Sequence, residues 1–167
     1  LLARVQAYYH DIGKLSKPEC YAANEPASSR SRHEKLTPSM SALVVKSHIP
    51  EGLELAKKVR LPRAVQAAIP EHHGTMVMAF FYHKALEQDP VARREDFSYP
   101  GPKPRSKETA ILMLADGVEG ASRALEEPTP SRIRGLVTRI IGERVGDGQL
   151  DECGLTMQDL ARIREAF

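Results

Sequence analysis

The amino-acid sequence predicts an all-α domain, on three observations. Apolar side chains recur at the helical 3.6-residue period along most of the 167 residues. Ser or Thr stands just before several of these stretches, in positions that start helices. No alternating strand pattern of useful length and no internal repeat occurs. The length suits one compact domain, and 41% hydrophobic with 28% charged residues is enough to bury a core without staples.

Residues 1–10 carry apolar side chains at positions 1, 2, 5, 8 and 9, one face of a helix, which Asp11-Ile12-Gly13-Lys14 closes. No cap precedes Leu1, so the chain is expected to be a piece of a longer one. Residues 16–37 are polar and irregular, with Pro18, Pro26 and a Ser/Arg cluster at 28–32, and read as a long surface loop. Thr37-Pro38 sets a Thr N-cap before a Pro at the first helical position and opens a helix through Ser47. Residues 51–59 form a further helical stretch, and Leu61-Pro62 starts another that ends near His73-Gly74. Residues 76–87 are again apolar-periodic. Pro90, Pro100, Pro102 and Pro104 with Gly101 exclude helix or central strand from 88–104, which reads as a rigid loop. Ser106 caps a long buried helix to Arg123, and Thr129-Pro130 opens one through about Val145. Gly146-Asp147-Gly148 is a turn, and Thr156 with Asp159 forms a capping-box start for a last helix over 157–166.

Composition excludes several classes of function. A net charge of +2 gives no default capture of DNA, and 5% aromatics without Trp supply no base-stacking platform. Cys20 and Cys153 lie far apart, which makes no disulfide framework and fits a reducing compartment; without a CxxC pair there is no thiolate zinc site. The longest apolar runs, such as 110–115, fall far short of a membrane span, and no signal-peptide pattern opens the chain.

Six residues then stand out: His10, Asp11, His48, His72, His73 and Asp116. Imidazole and carboxylate together suit zinc, iron and manganese. His10 and Asp11 are neighbours at a helix end, where the turn lets both aim at one point. His72 and His73 do the same before Gly74, and His48 ends its segment before Pro50. Asp116 sits in the apolar run Ile111-Leu112-Met113-Leu114-Ala115, where an unpaired buried carboxylate is costly. The plainer account of a single His is a favourable place at a helix C-terminus, and Glu119 with Arg123 can form an ordinary i,i+4 pair. Stability alone does not readily produce the whole set.

His10-Asp11-Ile12-Gly13-Lys14 resembles the signature of the HD-domain metal-dependent phosphohydrolases, which are all-α helical bundles. The similarity runs over essentially the whole chain. Its ordered set is Glu71-His72-His73-Gly74-Thr75, then Phe80-Phe81-Tyr82, Asp96 through Pro104, Leu114-Ala115-Asp116, Gln149-Leu150-Asp151 and Leu155-Thr156. That set resembles the catalytic domain of the seven-transmembrane HD (PgpH-type) phosphodiesterases of cyclic di-AMP. Gly74-Thr75-Met76 stands where the cyclic di-GMP group has Gly-Tyr-Pro, which disfavours that group.

The resemblance implies two divalent ions, iron, manganese or zinc. It assigns Asp11 as the bridge between them, His10 and Asp116 to the first, and His48, His72 and His73 to the second. A water or hydroxide between the ions attacks phosphorus in line and opens cyclic di-AMP to linear pApA. The family also has a ligand His on a helix upstream of the His-Asp pair. That helix is expected before Leu1, so the first metal position is expected to be weak in this piece. The native chain is expected to be tethered at the cytoplasmic face of the bacterial plasma membrane, with this domain soluble. Lys14, one turn from His10, either reaches a substrate phosphate or is a solvated Lys. His33 in the polar loop with Arg30 and Arg32 either approaches substrate or is solvated; His83 and Arg93-Arg94 read as surface residues. The Tyr99–Pro104 loop is a candidate pocket rim. Two other functions stay open: an HD-fold module that binds nucleotide without turnover, and a hydrolase of another nucleoside phosphate.

Overall fold

The computed structural model describes residues 1–21 and 32–167; Pro26, Arg30 and the Ser/Arg cluster up to residue 31 lie outside the described residues. Within them the chain forms nine α-helices. These are α1 (Leu2–Tyr9), α2 (Pro38–Lys46), α3 (His48–Lys58), α4 (Arg63–Gln66), α5 (Ala68–Glu71), α6 (Ala79–Gln88), α7 (Lys107–Ser122), α8 (Pro130–Gly146) and α9 (Met157–Ala166). Short 3-10 turns cover Ile12–Ser16, Pro18–Cys20, Arg32–Lys35 and Arg94–Phe97. No strand forms among the described residues, and one antiparallel bridge joins Val77 to Ser98. The fold class is therefore all-α, as the periodicity predicts.

Four caps fall where the sequence places them. The side chains of Thr37, Ser106, Thr129 and Thr156 accept from the backbone N–H of Met40, Thr109, Arg132 and Asp159. Each satisfies a helix-end donor worth about 1 kcal/mol.

Three boundaries differ from expectation, each for a local reason. His48 opens α3 rather than closing a segment, because Pro50 falls in the first turn, where its missing N–H leaves no bond unmade. The stretch expected as one helix from Leu61 to His73 splits into α4 and α5. Pro70 has no N–H to give the Gln66 carbonyl, and the division falls at Ala67, between Gln66 and Ala68. The segment expected as helix from 76 begins at Ala79, since 76–78 pairs with 97–99 instead: Met78 N–H donates to the Phe97 carbonyl and Tyr99 N–H to that of Met76, both at 2.9 Å. The expected surface loop also contributes to the core, where Tyr21 is 5% exposed.

Apolar packing divides in two. Leu114, Leu136, Val137, Ile140, Ile141, Leu160 and Ile163 bind α7, α8 and α9 together. Ala42, Met78, Ala85 and Phe97 join α2 and α6 to the Arg94–Phe97 turn. Between these, α1 packs on α4 and α7, and the Ile12–Ser16 turn packs on α3. Gly13 makes the last contact possible: a Cβ there would lie 1.9 Å from the His48 carbonyl oxygen. That closeness brings the end of α1 to the start of α3.

Candidate metal centre

The ends of α1 and α5, the start of α3 and the middle of α7 meet, and all six candidate ligands converge there. The side-chain donors of Asp11, His48, His72 and His73 lie within 4.8 Å of one another, and so do those of His10, Asp11 and Asp116. Asp11 belongs to both groups. Its Oδ1 is 3.6 Å from Nε2 of His48 and 3.6 Å from Nε2 of His72. Its Oδ2 is 3.3 Å from Nε2 of His10, which is 3.6 Å from Oδ1 of Asp116. Asp116 is half-buried rather than buried, so its apolar helix presents it at the edge of the core.

The local backbone fixes which nitrogen each ring presents. Nδ1 of His10 lies 2.9 Å from the Ala7 carbonyl, and Nδ1 of His48 is 2.6 Å from that of Val45. Nδ1 of His72 is 3.0 Å from the Ala68 carbonyl and 2.9 Å from that of Ile69. A carbonyl only accepts, so in each case Nδ1 is the donor. Nε2 of His10, His48 and His72 is then buried with no hydrogen bond, as is Oδ1 of Asp11. Four buried lone-pair atoms without partners, aimed at one space, are costly in a native protein unless something fills that space. Imidazole and carboxylate donors with backbone carbonyls behind them fit divalent transition metals.

Charge is distributed unevenly. Burial opposes a charge on His10, but the carboxylates of Asp11 and Asp116 close to its Nε2 outweigh it and push its pKa up to about 10. Burial would raise the Asp11 pKa, yet the nearby His10 and His72 rings and the Lys14 ammonium hold it well below the usual carboxylate range. Burial also opposes ionisation of Asp116, and the His10 ring beside it holds the carboxyl low. On the other side, burial pushes His48 down to about 4, and burial with the neighbouring His72 and His48 keeps His73 well below its ordinary value. The carboxylates of Asp11 and Asp116 thus favour a cation beside His10, while burial favours neutral, ligating imidazoles at His48 and His73.

Lys14 Nζ donates to Asp11 Oδ2 and lies 5.6 Å above the Tyr21 ring. It is thus held at the centre. His33 is tied to the Cys20 carbonyl at 2.8 Å and packs against Phe81, 5.4 Å between rings. His83, Arg93 and Arg94 are exposed, and Glu119 pairs with Arg123 on the surface.

Further residues support the centre, and nothing in the sequence points to Tyr21 or to a role for Glu71 or Gln149. Tyr21 packs edge-on to His48. Tyr99 stacks on His73, 4.1 Å between ring centroids and 19° between planes, so the Pro-rich loop does begin at the centre. Burial and the charges of Asp11 and Asp116 push its phenol pKa upward. Glu71, 6% exposed, accepts from Thr109 Oγ1 at 2.6 Å and from the Arg105 N–H at 3.0 Å, which docks α5 on the start of α7. Gln149 Oε1 accepts from the Thr75 N–H at 3.0 Å, and its Nε2 donates to Thr75 Oγ1 at 3.0 Å. This pins the turn after His73, where Gly74 has φ +53° and a Cβ would stand 2.4 Å from Gln149 Oε1. Glu71 and Gln149 both stand in the family-like set of the sequence, but their residue types alone signal no role.

Comparison with known proteins agrees with this geometry. A family model described as HD domain matches residues 1–121. The chain is 42% identical over 167 residues to the cyclic-di-AMP phosphodiesterase PgpH of Bacillus subtilis, covering 100% of this chain and 23% of that protein. It is 39% identical to PgpH of Listeria monocytogenes, again over 100% of this chain and 23% of the relative. The chain thus spans about a quarter of the length of these relatives. The crystal structure of the L. monocytogenes PgpH HD domain in complex with cyclic-di-AMP superposes with a TM-score of 0.95 at 39% identity, over 99% of this chain and 77% of that one.

Proposed function

Because the chain belongs to the HD-domain family, we propose that it is a metal-dependent phosphodiesterase that opens cyclic di-AMP to linear pApA. The position of Asp11 carries this proposal: one carboxylate oxygen faces His48 and His72, the other faces His10. His10, Asp116 and Oδ2 of Asp11 would hold one ion; His48, His72, His73 and Oδ1 of Asp11 would hold the other. Bound divalent ions supply Lewis acidity, which lowers the pKa of water and offsets charge on the phosphoryl oxygens. The carbonyls of Ala7, Val45 and Ile69 keep each ring turned so that Nε2 faces inward. Lys14, which donates to the Asp11 carboxylate one turn from His10, would also donate to an incoming phosphate oxygen. The likeness to PgpH supports cyclic di-AMP over other phosphodiesters. The greater length of the relatives supports a domain carried on a longer chain, which we place at the cytoplasmic face of the plasma membrane. Among the described residues themselves, no helix is long and apolar enough to cross a membrane.

Loading the protein with iron, manganese or zinc in turn, and identifying products from cyclic di-AMP, cyclic di-GMP and nucleoside monophosphates, tests this function. The expected result is pApA from cyclic di-AMP in preference to the others. Preferred release of phosphate from a monophosphate would make the domain a nucleotidase. Stoichiometric metal without turnover of any phosphodiester would leave a binding module.

A further inference from the structure

Beside the metal centre lies a groove of about 700 Å³ walled by residues 76–79, Tyr99 and the C-terminal half of α8. Tyr99 belongs to both places: its ring stacks on His73 and also lines the groove. Across from it stands Arg144, whose environment is unusual for an arginine. Its side chain is 17% exposed, and Nε is fully buried without a hydrogen bond. The carboxylate paired with it, Oε2 of Glu143, stands 3.9 Å from Nη1, beyond hydrogen-bonding distance. Glu143 is already engaged, since its Oε1 accepts from Arg139 Nη1 at 2.7 Å.

A guanidinium stays charged and offers five donors in a planar fork. Burying the Nε of Arg144 without a partner is destabilising, more so than for a neutral group. Such a group matches the paired oxygens of a phosphate. Its place also suits a ligand that begins at the metal centre. Nη2 of Arg144 is 3.6 Å from where a Cβ on Gly117 would stand, and Gly117 follows Asp116 on α7.

We propose that this groove seats the half of the cyclic dinucleotide that is not being cleaved, with Arg144 binding its second phosphate while the first lies at the metal centre. This rests on the function proposed above. It makes two phosphates, spaced as in one small macrocycle, a requirement for tight binding. Arg144 is a substrate-binding residue here and takes no part in the bond being broken.

The test compares two substrates on the metal-loaded protein: cyclic di-AMP, with two phosphates, and bis(p-nitrophenyl) phosphate, with one. The Arg144→Ala change should raise KM for cyclic di-AMP relative to that for the small diester by about tenfold to a hundredfold, with kcat little affected. Arg144→Lys, which keeps charge and loses the fork, should give a smaller shift and serves if the alanine variant fails to fold. An unchanged KM ratio in a folded variant overturns the proposal and leaves the phosphodiesterase function standing. An equal loss on both substrates, in kcat, overturns it in favour of a structural role for Arg144 at the metal centre. If the unaltered protein cleaves the small diester but not cyclic di-AMP, the proposed function itself fails, and this inference with it.

Discussion

Leu114 and Asp116 stand two residues apart on α7 and serve two regions built on opposite rules. Leu114, 0% exposed, closes the layer that α7 makes with α8 and α9, where every buried member is apolar. Asp116 faces a region where the buried atoms are imidazole nitrogens and carboxylate oxygens, several of them without a partner. The apolar layer gains stability from each side chain removed from water. The polar centre loses it on burial and is retained for what it can bind. One helix joins both because its period sends neighbouring positions to different faces.

The sharpest way to break this contrast is Asp11→Ala. Hydrolysis of cyclic di-AMP should fall about a thousandfold or more, because both metal positions lose an oxygen donor. The metal-free variant should still fold, since Asp11 lies outside both apolar clusters, though it loses the charge that favours a proton on His10. Turnover assays beside thermal melts check both halves. Substantial turnover in this variant would detach Asp11 from the chemistry.

The opposite result is expected from Ile140→Ala, at a residue 3% exposed in the apolar layer. It should cost about 2–5 kcal/mol of stability through the cavity left behind. Below its lowered melting point kcat/KM should stay near that of the unaltered protein. A loss of activity as large as that of Asp11→Ala, at full folding, would show that the two regions are coupled through α7.

The two regions were also unequally legible in the sequence. The caps at Ser106, Thr129 and Thr156 and the periodicity of the last three helices are local signals, and the helices form where those signals lie. At the centre, residue type revealed the six candidates, but not the backbone that holds them. Pro50 looked like a stop and instead sits in the first turn of α3. Pro70 breaks an apparently continuous helix. Tyr21 reaches the centre from a segment with no periodic pattern, and the pairing of Gln149 with Thr75 is set by long-range packing.

Removing metal with a chelator sharpens the comparison through pH. In the metal-free protein His10, raised to about 10 against an ordinary value near 6.5, contributes stability fully present below about pH 6.5. That contribution disappears as pH rises through about 10. His48, lowered to about 4, acts in the opposite sense: its unfolded form takes up a proton first, so stability falls as pH drops from about 6.5 to about 4. Melting temperature should therefore peak near pH 6.5. Restoring metal should flatten the alkaline limb, because an ion replaces the proton that His10 holds between Asp11 and Asp116. A metal-free protein with constant melting temperature from pH 6.5 to 10 would show that His10 carries no such proton.

The smallest effects distinguish two helix caps that look alike in sequence. Thr156→Ala and Ser106→Ala each remove a side chain that accepts a backbone N–H, at a cost of about 1 kcal/mol. Thr156 caps α9, which packs on α8 in the apolar layer, so its loss should lower stability and leave metal affinity alone. Ser106 caps α7, and its Oγ is 3.0 Å from that of Thr109, whose hydroxyl donates to Glu71 beside His72. Freeing Thr109 from its cap lets Glu71 shift and disturbs the orientation of the His72 ring. Metal affinity should then weaken about tenfold, the low end for a residue behind a ligand. Metal titration of the two variants at equal folded fraction separates them. If both bind metal like the unaltered protein, the Thr109–Glu71 link serves only to dock α5 on α7.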